Sequence, residues 1–370
     1  MLKAKKLFGF EPDYAVPPGE TLKEVMVSLD MTQKGLAIRT GLTVQSLNRI
    51  FKGEQPITYE TANKLELATG VPSGMWNNLE AQYREQLAKI KERDQLEADL
   101  GWLKTIPVRE LIQRGAMEAA KDKVAQLRTV LKFYGVSSVR AWQHIWAQPA
   151  VAARRSQCFE SRPRPASAWI RLGELQAQQI ECRPYDKATF ARAVNDMRLL
   201  TTKEPEAFVP EMVGLCSDAG VALCLVPEMK KVPWHGATKW ISPSKAMILL
   251  NLRGKAEDQF WFSFFHEAGH VLNDSKKDLF INDGTSDDPR EAKANAFAAN
   301  LLIPIAYDSQ IAALRSKAEV IRLAKELEIA TGIVVGRFQY LSQKWNLFNG
   351  LKRKFLWAGS DERRQTTEGR

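Results

Sequence analysis

Apolar residues recur at helical spacing through most of this 370-residue chain. From Thr21 the pattern predicts five short helices, separated by turns that contain the glycines at 41, 53 and 70. Helical patterns then continue over residues 83–100 and 102–148. We therefore expect the N-terminal 150 residues to be all-helical.

The C-terminal half adds short strands to helices. Residues 166–200 predict two helices, and 211–228 predict a helix followed by a strand at 221–226. Two further strands, 236–241 and 246–251, flank a Ser-Pro-Ser-Lys turn and form a predicted hairpin. The whole chain is thus expected to be mainly α with a small β-sheet, an α+β fold.

These changes of pattern divide the chain into four predicted segments. They are a five-helix domain (10–82), a helical connector (83–150), a domain with the sheet (151–340) and a basic C-terminal tail (341–370).

An apolar run beginning at Phe260 ends in His266-Glu267-Ala268-Gly269-His270, the only His-Glu-x-x-His sequence in the chain. Residues four apart lie on one face of a helix, so both imidazoles can reach one ion. Glu267 cannot reach the same position and remains free to handle water bound to that ion. Because the chain has only four histidines, chance is a poor explanation for this spacing. We predict a catalytic zinc (Zn²⁺) site with His266 and His270 as ligands and Glu267 as catalytic base.

A catalytic zinc needs a third protein ligand. Glu291 begins a strongly helical stretch downstream and is one candidate, while Asp287 and Asp288 in an acidic loop are the fallback. His235 precedes the first hairpin strand, where it would donate to an oxyanion or be an exposed turn residue.

Composition and charge limit the classes of partner and the cellular compartment that we expect for this chain. The formal charge of +10 favours polyanionic partners if the positive residues cluster. No apolar run reaches the roughly 20 residues that span a membrane, so we expect no membrane association and a cytoplasmic protein. Its four cysteines are too scattered for a disulfide framework.

Two of the N-terminal helices are separated by a short turn, which predicts a helix-turn-helix unit. Thr32 and Thr43 are their expected N-caps. Residues 31–53 contain basic but no acidic side chains. The predicted contacts to double-stranded DNA are Gln33, Lys34, Arg39, Thr43, Gln45, Ser46, Arg49 and Lys52. A protein-interaction module without DNA contacts is the alternative.

The N-terminal segment resembles the Cro/repressor-type helix-turn-helix family and, within it, HigA-type antitoxins. The resemblance rests on Pro18-Gly19-Glu20-Thr21-Leu22, Thr32-Gln33-x-x-Leu36-Ala37, Ile50-Phe51-Lys52-Gly53, Ile57-Thr58-x-Glu60-Thr61-Ala62 and Trp76-x-Asn78-Leu79.

The C-terminal half resembles the ImmA/IrrE metallopeptidases. The matching motifs are His-Glu-Ala-Gly-His from His266 and Glu-x-x-Ala-Asn-x-Phe-Ala-x-x-Leu-Leu-x-Pro from Glu291. This resemblance implies a zincin-like domain in which Glu291 is the third zinc ligand.

Together the two resemblances imply a DNA-binding regulatory zinc endopeptidase. Its expected substrate is a helix-turn-helix repressor, an antitoxin or its own chain, with a toxin partner and a homodimer left open. The alternative is a non-enzymatic, antitoxin-like transcriptional regulator whose zinc site is structural or vestigial.

Overall fold

A computed structural model of the chain describes residues 13–147, 163–276, 280–282 and 289–358. They form two compact units. The first contains the described residues up to Gly101 together with Asp122–Leu127, and the second contains the rest. None of the helices in these ranges combines the length and the apolar composition needed to cross a bilayer.

Five helices make up most of the first unit, as the apolar pattern predicts. They are α1 (Pro18–Ser28), α2 (Gln33–Thr40), α3 (Val44–Phe51), α4 (Tyr59–Thr69) and α5 (Ser73–Ala98). Thr32, Thr43 and Thr58 cap the N-termini of α2, α3 and α4, each accepting a hydrogen bond from the backbone N–H three residues later. Gly41 ends α2 in the left-handed conformation, at φ 69°, which glycine adopts without a steric cost.

Leu36, Leu47 and Trp76 are fully buried in the core of the first unit and join α2, α3 and α5. The connector helix predicted from residue 83 is part of α5, which runs unbroken from Ser73. No glycine or proline interrupts the helix after Gly74, so nothing in the sequence would end it near residue 82.

The chain continues with further helices before the sheet begins. They are α6 (Leu100–Leu103), α7 (Val108–Gln113), α8 (Lys123–Tyr134), α9 (Val139–Trp142), a π-helical turn (Gln143–Ala147), α10 (Pro163–Gln179), α11 (Lys187–Leu199), a 3₁₀ turn (Leu200–Thr202) and α12 (Pro205–Asp218).

The sheet of the second unit has four strands in the order β1-β3-β2-β4. These are β1 (Val221–Leu225), β2 (Gly236–Ser242), β3 (Lys245–Leu250) and β4 (Phe280–Asn282). β2 and β3 form the predicted antiparallel hairpin, and β1 pairs with β3 in parallel. β4, which the pattern did not predict, pairs antiparallel with Gly236–Thr238 of β2.

The remaining helices follow the hairpin. They are α13 (Glu257–Asn273), α14 (Pro289–Leu302), a 3₁₀ turn (Ile305–Tyr307), α15 (Asp308–Ala312), α16 (Lys317–Glu326), α17 (Thr331–Ser342) and a 3₁₀ turn (Asn349–Leu351). The fold is mainly helical with a small sheet, so the predicted α+β class is confirmed.

The central helix α13 is buried on nearly every side, as expected for a helix that is apolar all round. It packs against β2 and β3, against α14 and against α17. Phe264, Phe265 and Ala268 are fully buried in the core of the second unit. A helix enclosed in this way holds its polar side chains at fixed positions.

The C-terminal segment after α17 packs onto the start of α13. Glu257 is completely buried, and its carboxylate accepts hydrogen bonds from Arg353 Nε at 2.6 Å, Arg353 N at 3.0 Å and Gly332 N at 3.1 Å. Phe355 N donates to the Lys255 carbonyl at 2.7 Å. Residues 349–357 thus help to fix the beginning of the helix that carries the histidines.

Candidate metal centre

The two histidines of α13 converge as helical spacing requires. His266 Nε2 lies 3.0 Å from His270 Nε2, and each residue is only 1% exposed. They occupy the last two turns of a rigidly packed helix, so the distance between their rings is set by the backbone.

Glu291 in the first turn of α14 completes a group of three. One of its carboxylate oxygens lies 3.0 Å from His266 Nε2 and the other 3.3 Å from His270 Nε2. The two helices pack closely together because Gly269 of α13 lies against Ala294 of α14. Burial raises the pKa of Glu291, but hydrogen bonds and charge from His266 and His270 outweigh it and lower the pKa to about 2. The carboxylate is therefore ionised at neutral pH.

The outer nitrogen of each imidazole faces an oxygen acceptor. His270 Nδ1 lies 2.7 Å from Asp274 Oδ2, and His266 Nδ1 lies 2.8 Å from Asn295 Oδ1. An ionised carboxylate only accepts, so His270 carries a proton on Nδ1, and the Asn295 oxygen fixes the same tautomer at His266. Metal binding requires each Nε2 to lose its proton, and in this tautomer both Nε2 lone pairs then point at the shared centre.

This donor set fits a divalent cation. Two nitrogen lone pairs and a carboxylate meet within about 3 Å, where they repel one another unless a positive charge lies between them. Ligands bound tetrahedrally at about 2.0 Å lie roughly 3.3 Å from each other, close to the separations found here. His266, His270 and Glu291 are the three ligand-type residues that come together in the described part of the chain.

The Glu267 side chain lies against strand β2. Thr238 Oγ1 donates to its Oε2 at 2.6 Å, while Oε1 is buried without a partner among the described residues. Gly236 makes the position possible, because a Cβ there would lie 2.6 Å from Glu267 Oε1. Burial raises the pKa of Glu267 to about 8, although His266 and the Thr238 hydrogen bond act in the opposite direction. A buried carboxylate with one free oxygen and a raised pKa is suited to receiving a proton.

Of the other candidate residues in this region, the structure describes His235. His235 is half-buried, and burial together with the charge of Arg253 lowers its pKa. Its oxyanion role stays a prediction. Asp287 and Asp288 lie outside the described residues.

Four of the residues that shape this site were not recognised as functional from the sequence. Asn295 and Asp274 each lie four residues after a ligand, at Glu291 and His270, and that spacing was the available signal. Gly236 and Thr238 lie on a strand, and no local pattern links them to Glu267.

The predicted DNA-binding residues lie on α2, on α3 and at their ends. Lys34, Arg39, Thr43, Gln45, Arg49 and Lys52 are exposed, and Ser46 is half-exposed. Thr43 accepts from Ser46 N at 3.0 Å and therefore also serves as the α3 cap. Gln33 is half-buried and bonded to α3.

Comparison with known families places a match over each unit. Residues 224–339 match the IrrE N-terminal-like domain of a peptidase family, and this range contains all three clustered residues. Residues 22–76 match the helix-turn-helix family, a range that contains both α2 and α3. A search of curated proteins finds no match to the chain. The protein therefore combines an N-terminal helix-turn-helix DNA-binding domain with a C-terminal IrrE/ImmA-like metallopeptidase domain.

Proposed function

We propose that this protein is a DNA-binding regulator whose C-terminal domain is a zinc-dependent endopeptidase. The observation that carries the proposal is the convergence of His266 Nε2, His270 Nε2 and the Glu291 carboxylate, with both outer imidazole nitrogens facing oxygen acceptors. Two histidines and one glutamate are a ligand set of catalytic zinc sites, in which a fourth position stays open.

Each residue has a distinct role in this proposal. His266, His270 and Glu291 would hold the ion, which when bound supplies Lewis-acid activation of a carbonyl and of water. Glu267 takes a proton from the attacking water at Oε1, the oxygen without a partner among the described residues, while Thr238 keeps Oε2 in place. The proton then passes from Glu267 to the leaving amine.

We further propose that the substrate is a helix-turn-helix repressor, an antitoxin or this protein's own chain. Support comes from the domain combination, because a helix-turn-helix domain would bring the peptidase to DNA sites where such proteins bind. A toxin partner and a homodimer are compatible with this proposal.

The test uses a Glu267→Gln variant, which keeps the ligands and the shape of the side chain. We expect this variant to retain zinc and to lose cleavage, because an amide cannot accept the proton. Zinc-loaded wild-type protein and the zinc-loaded variant are incubated separately with a tagged Glu267→Gln copy and with helix-turn-helix repressors, and fragments are identified by intact-mass spectrometry.

Glu326→Gln, at an exposed position on α16, is the matched control and should cleave as the wild type does. A Glu267→Gln enzyme that cleaves at the wild-type rate would contradict the assigned base. Loss of zinc in the same variant would instead show that Glu267 belongs to the metal site.

A second candidate function is a non-enzymatic regulator whose metal centre is structural. The observation in its favour is burial, since Glu267 is 0% exposed and both histidines are 1% exposed. Cobalt substitution separates the two candidates, because a closed structural site keeps its visible spectrum when a hydroxamate inhibitor is added. An open catalytic site binds the inhibitor at its fourth position and its spectrum changes.

A further inference from the structure

Gln33, the first residue of α2, is hydrogen-bonded to the following helix. Its Nε2 donates to Asn48 Oδ1 at 2.8 Å and to the Val44 carbonyl at 3.3 Å. Both acceptors belong to α3, one helical turn apart. Gln33 therefore connects the two helices of the helix-turn-helix unit through a single amide nitrogen.

These two contacts determine the orientation of both amides. A backbone carbonyl only accepts hydrogen bonds, so the group of Gln33 that faces Val44 is its NH₂ group. The same NH₂ group faces Asn48, which must present its oxygen in return. The Nδ2 donor of Asn48 is then the end directed away from Gln33, and within the described ranges no acceptor engages it.

Asn48 lies on the outer face of α3. It is exposed, whereas its neighbours Leu47 and Ile50 are buried in the core. Gln45, three residues before it, and Arg49, one residue after it, are predicted DNA contacts, so Asn48 lies on the same surface of the helix. The helix thus presents an oriented hydrogen-bond donor between two predicted DNA contacts.

We propose that Asn48 is a specificity-determining residue that donates from Nδ2 to an acceptor on a base edge in the major groove. Gln33 is its positioning residue. The inference rests on the proposed DNA binding and deepens it by naming the base chemistry. A free asparagine pairs with adenine through one donor and one acceptor, but here Gln33 engages the acceptor. The remaining donor suits guanine, which presents two acceptors at O6 and N7, or thymine O4, whereas the adenine N7 acceptor lies beside the N6 amino donor.

Selection of binding sites from random double-stranded DNA by the full-length chain tests this inference. In the Asn48→Asp variant one carboxylate oxygen still accepts from Gln33, and the other replaces the donor with an acceptor. We expect the preference for guanine or thymine at one position to change to cytosine or adenine, which present amino donors. Affinity for the wild-type site should fall by about tenfold.

A second variant changes the same preference without altering Asn48. In Gln33→Glu the new carboxylate accepts from Asn48 Nδ2, so the Asn48 amide rotates and directs its oxygen at the base. The preference should change at the same position and in the same direction as in Asn48→Asp. Asn63→Asp on α4 is exposed and adds the same charge to the same domain, so it is the matched control and should keep the wild-type preference.

The outcomes distinguish this inference from the broader proposal. Failure of the wild-type protein to bind any duplex overturns both. Wild-type binding with unchanged base preference in Asn48→Asp overturns only the inference, and a uniform loss of affinity across all sequences would assign Asn48 to phosphate contact instead. Thermal unfolding of each variant verifies that the domain remains folded.

Discussion

The metal cluster and the outer face of α3 organise polar residues in opposite ways. At the cluster, His266 and His270 are buried and each ring nitrogen faces a protein partner. On α3, Arg49 and Gln45 are exposed, and Asn48 accepts a hydrogen bond from Gln33. The first arrangement is organised before anything binds, whereas in our proposal the second would acquire most of its polar partners from DNA.

This difference predicts that substitutions of buried polar residues in the second unit lower its stability or its metal affinity. Substitutions on the exposed face of α3 should weaken only DNA binding. Arg353→Ala should have the largest effect, because it leaves the fully buried Glu257 carboxylate without its cation. Removing one partner of a buried ion pair costs about 3–5 kcal/mol. Denaturant unfolding of the second unit measures this loss.

Two comparisons refine the Arg353 prediction. The double variant Arg353→Met with Glu257→Gln removes both charges and should recover part of the lost stability. Lys203→Ala removes an exposed cation paired with Glu211 and should change stability by less than about 1 kcal/mol. Equal losses in Arg353→Ala and Lys203→Ala would show that burial of Glu257 does not determine the cost.

Asp274→Asn should have an intermediate effect that is confined to metal binding. The carboxylate holds the Nδ1 proton of His270, and loss of such a partner typically lowers metal affinity by about 10- to 100-fold. Competition with a chromogenic chelator measures the affinity for zinc independently of catalysis. Asp218→Asn is the control, since Asp218 is exposed and pairs with Arg183. Unchanged zinc affinity in Asp274→Asn would remove Asp274 from the site.

Arg49→Ala should have the smallest effect on the folded protein. Arg49 is exposed, so we expect less than about 0.5 kcal/mol of change in unfolding free energy. DNA binding should weaken by about 1–3 kcal/mol, with relaxed sequence preference at the base that Arg49 contacts. Arg93→Ala on α5 is the control, because Arg93 lies on another helix, where it pairs with Glu97, and its loss should leave the sequence preference unchanged. A large loss of stability in Arg49→Ala would contradict the expectation that the exposed face of α3 contributes to DNA binding and not to stability.

The local parts of both sites could be predicted from sequence. The spacing of His266 and His270 determines their common face on any helix, and Thr32 and Thr43 have the capping chemistry that begins α2 and α3. The assignment of Glu291 as the third ligand required the family resemblance, because its distance in space from His270 depends on how two helices pack.

The parts that could not be predicted depend on contacts between distant segments. Thr238 and Gly236 reach Glu267 only because β2 lies over α13, and neither residue has a local pattern that indicates this. Strand β4 is three residues long, too short for an alternating pattern to be distinguished. Helix α5 runs unbroken across residue 82, where the domain boundary placed from the sequence stays a prediction.

The metal content of the purified protein tests the central claim most directly. Elemental analysis of the wild type should give one zinc ion per chain, and Glu291→Ala and His266→Ala should each lose it while the Glu326→Gln control retains it. The separations among His266, His270 and Glu291 predict this result because all three reach a single centre. Full zinc occupancy in Glu291→Ala, or no bound divalent metal in the wild type after zinc is supplied, would contradict the claim.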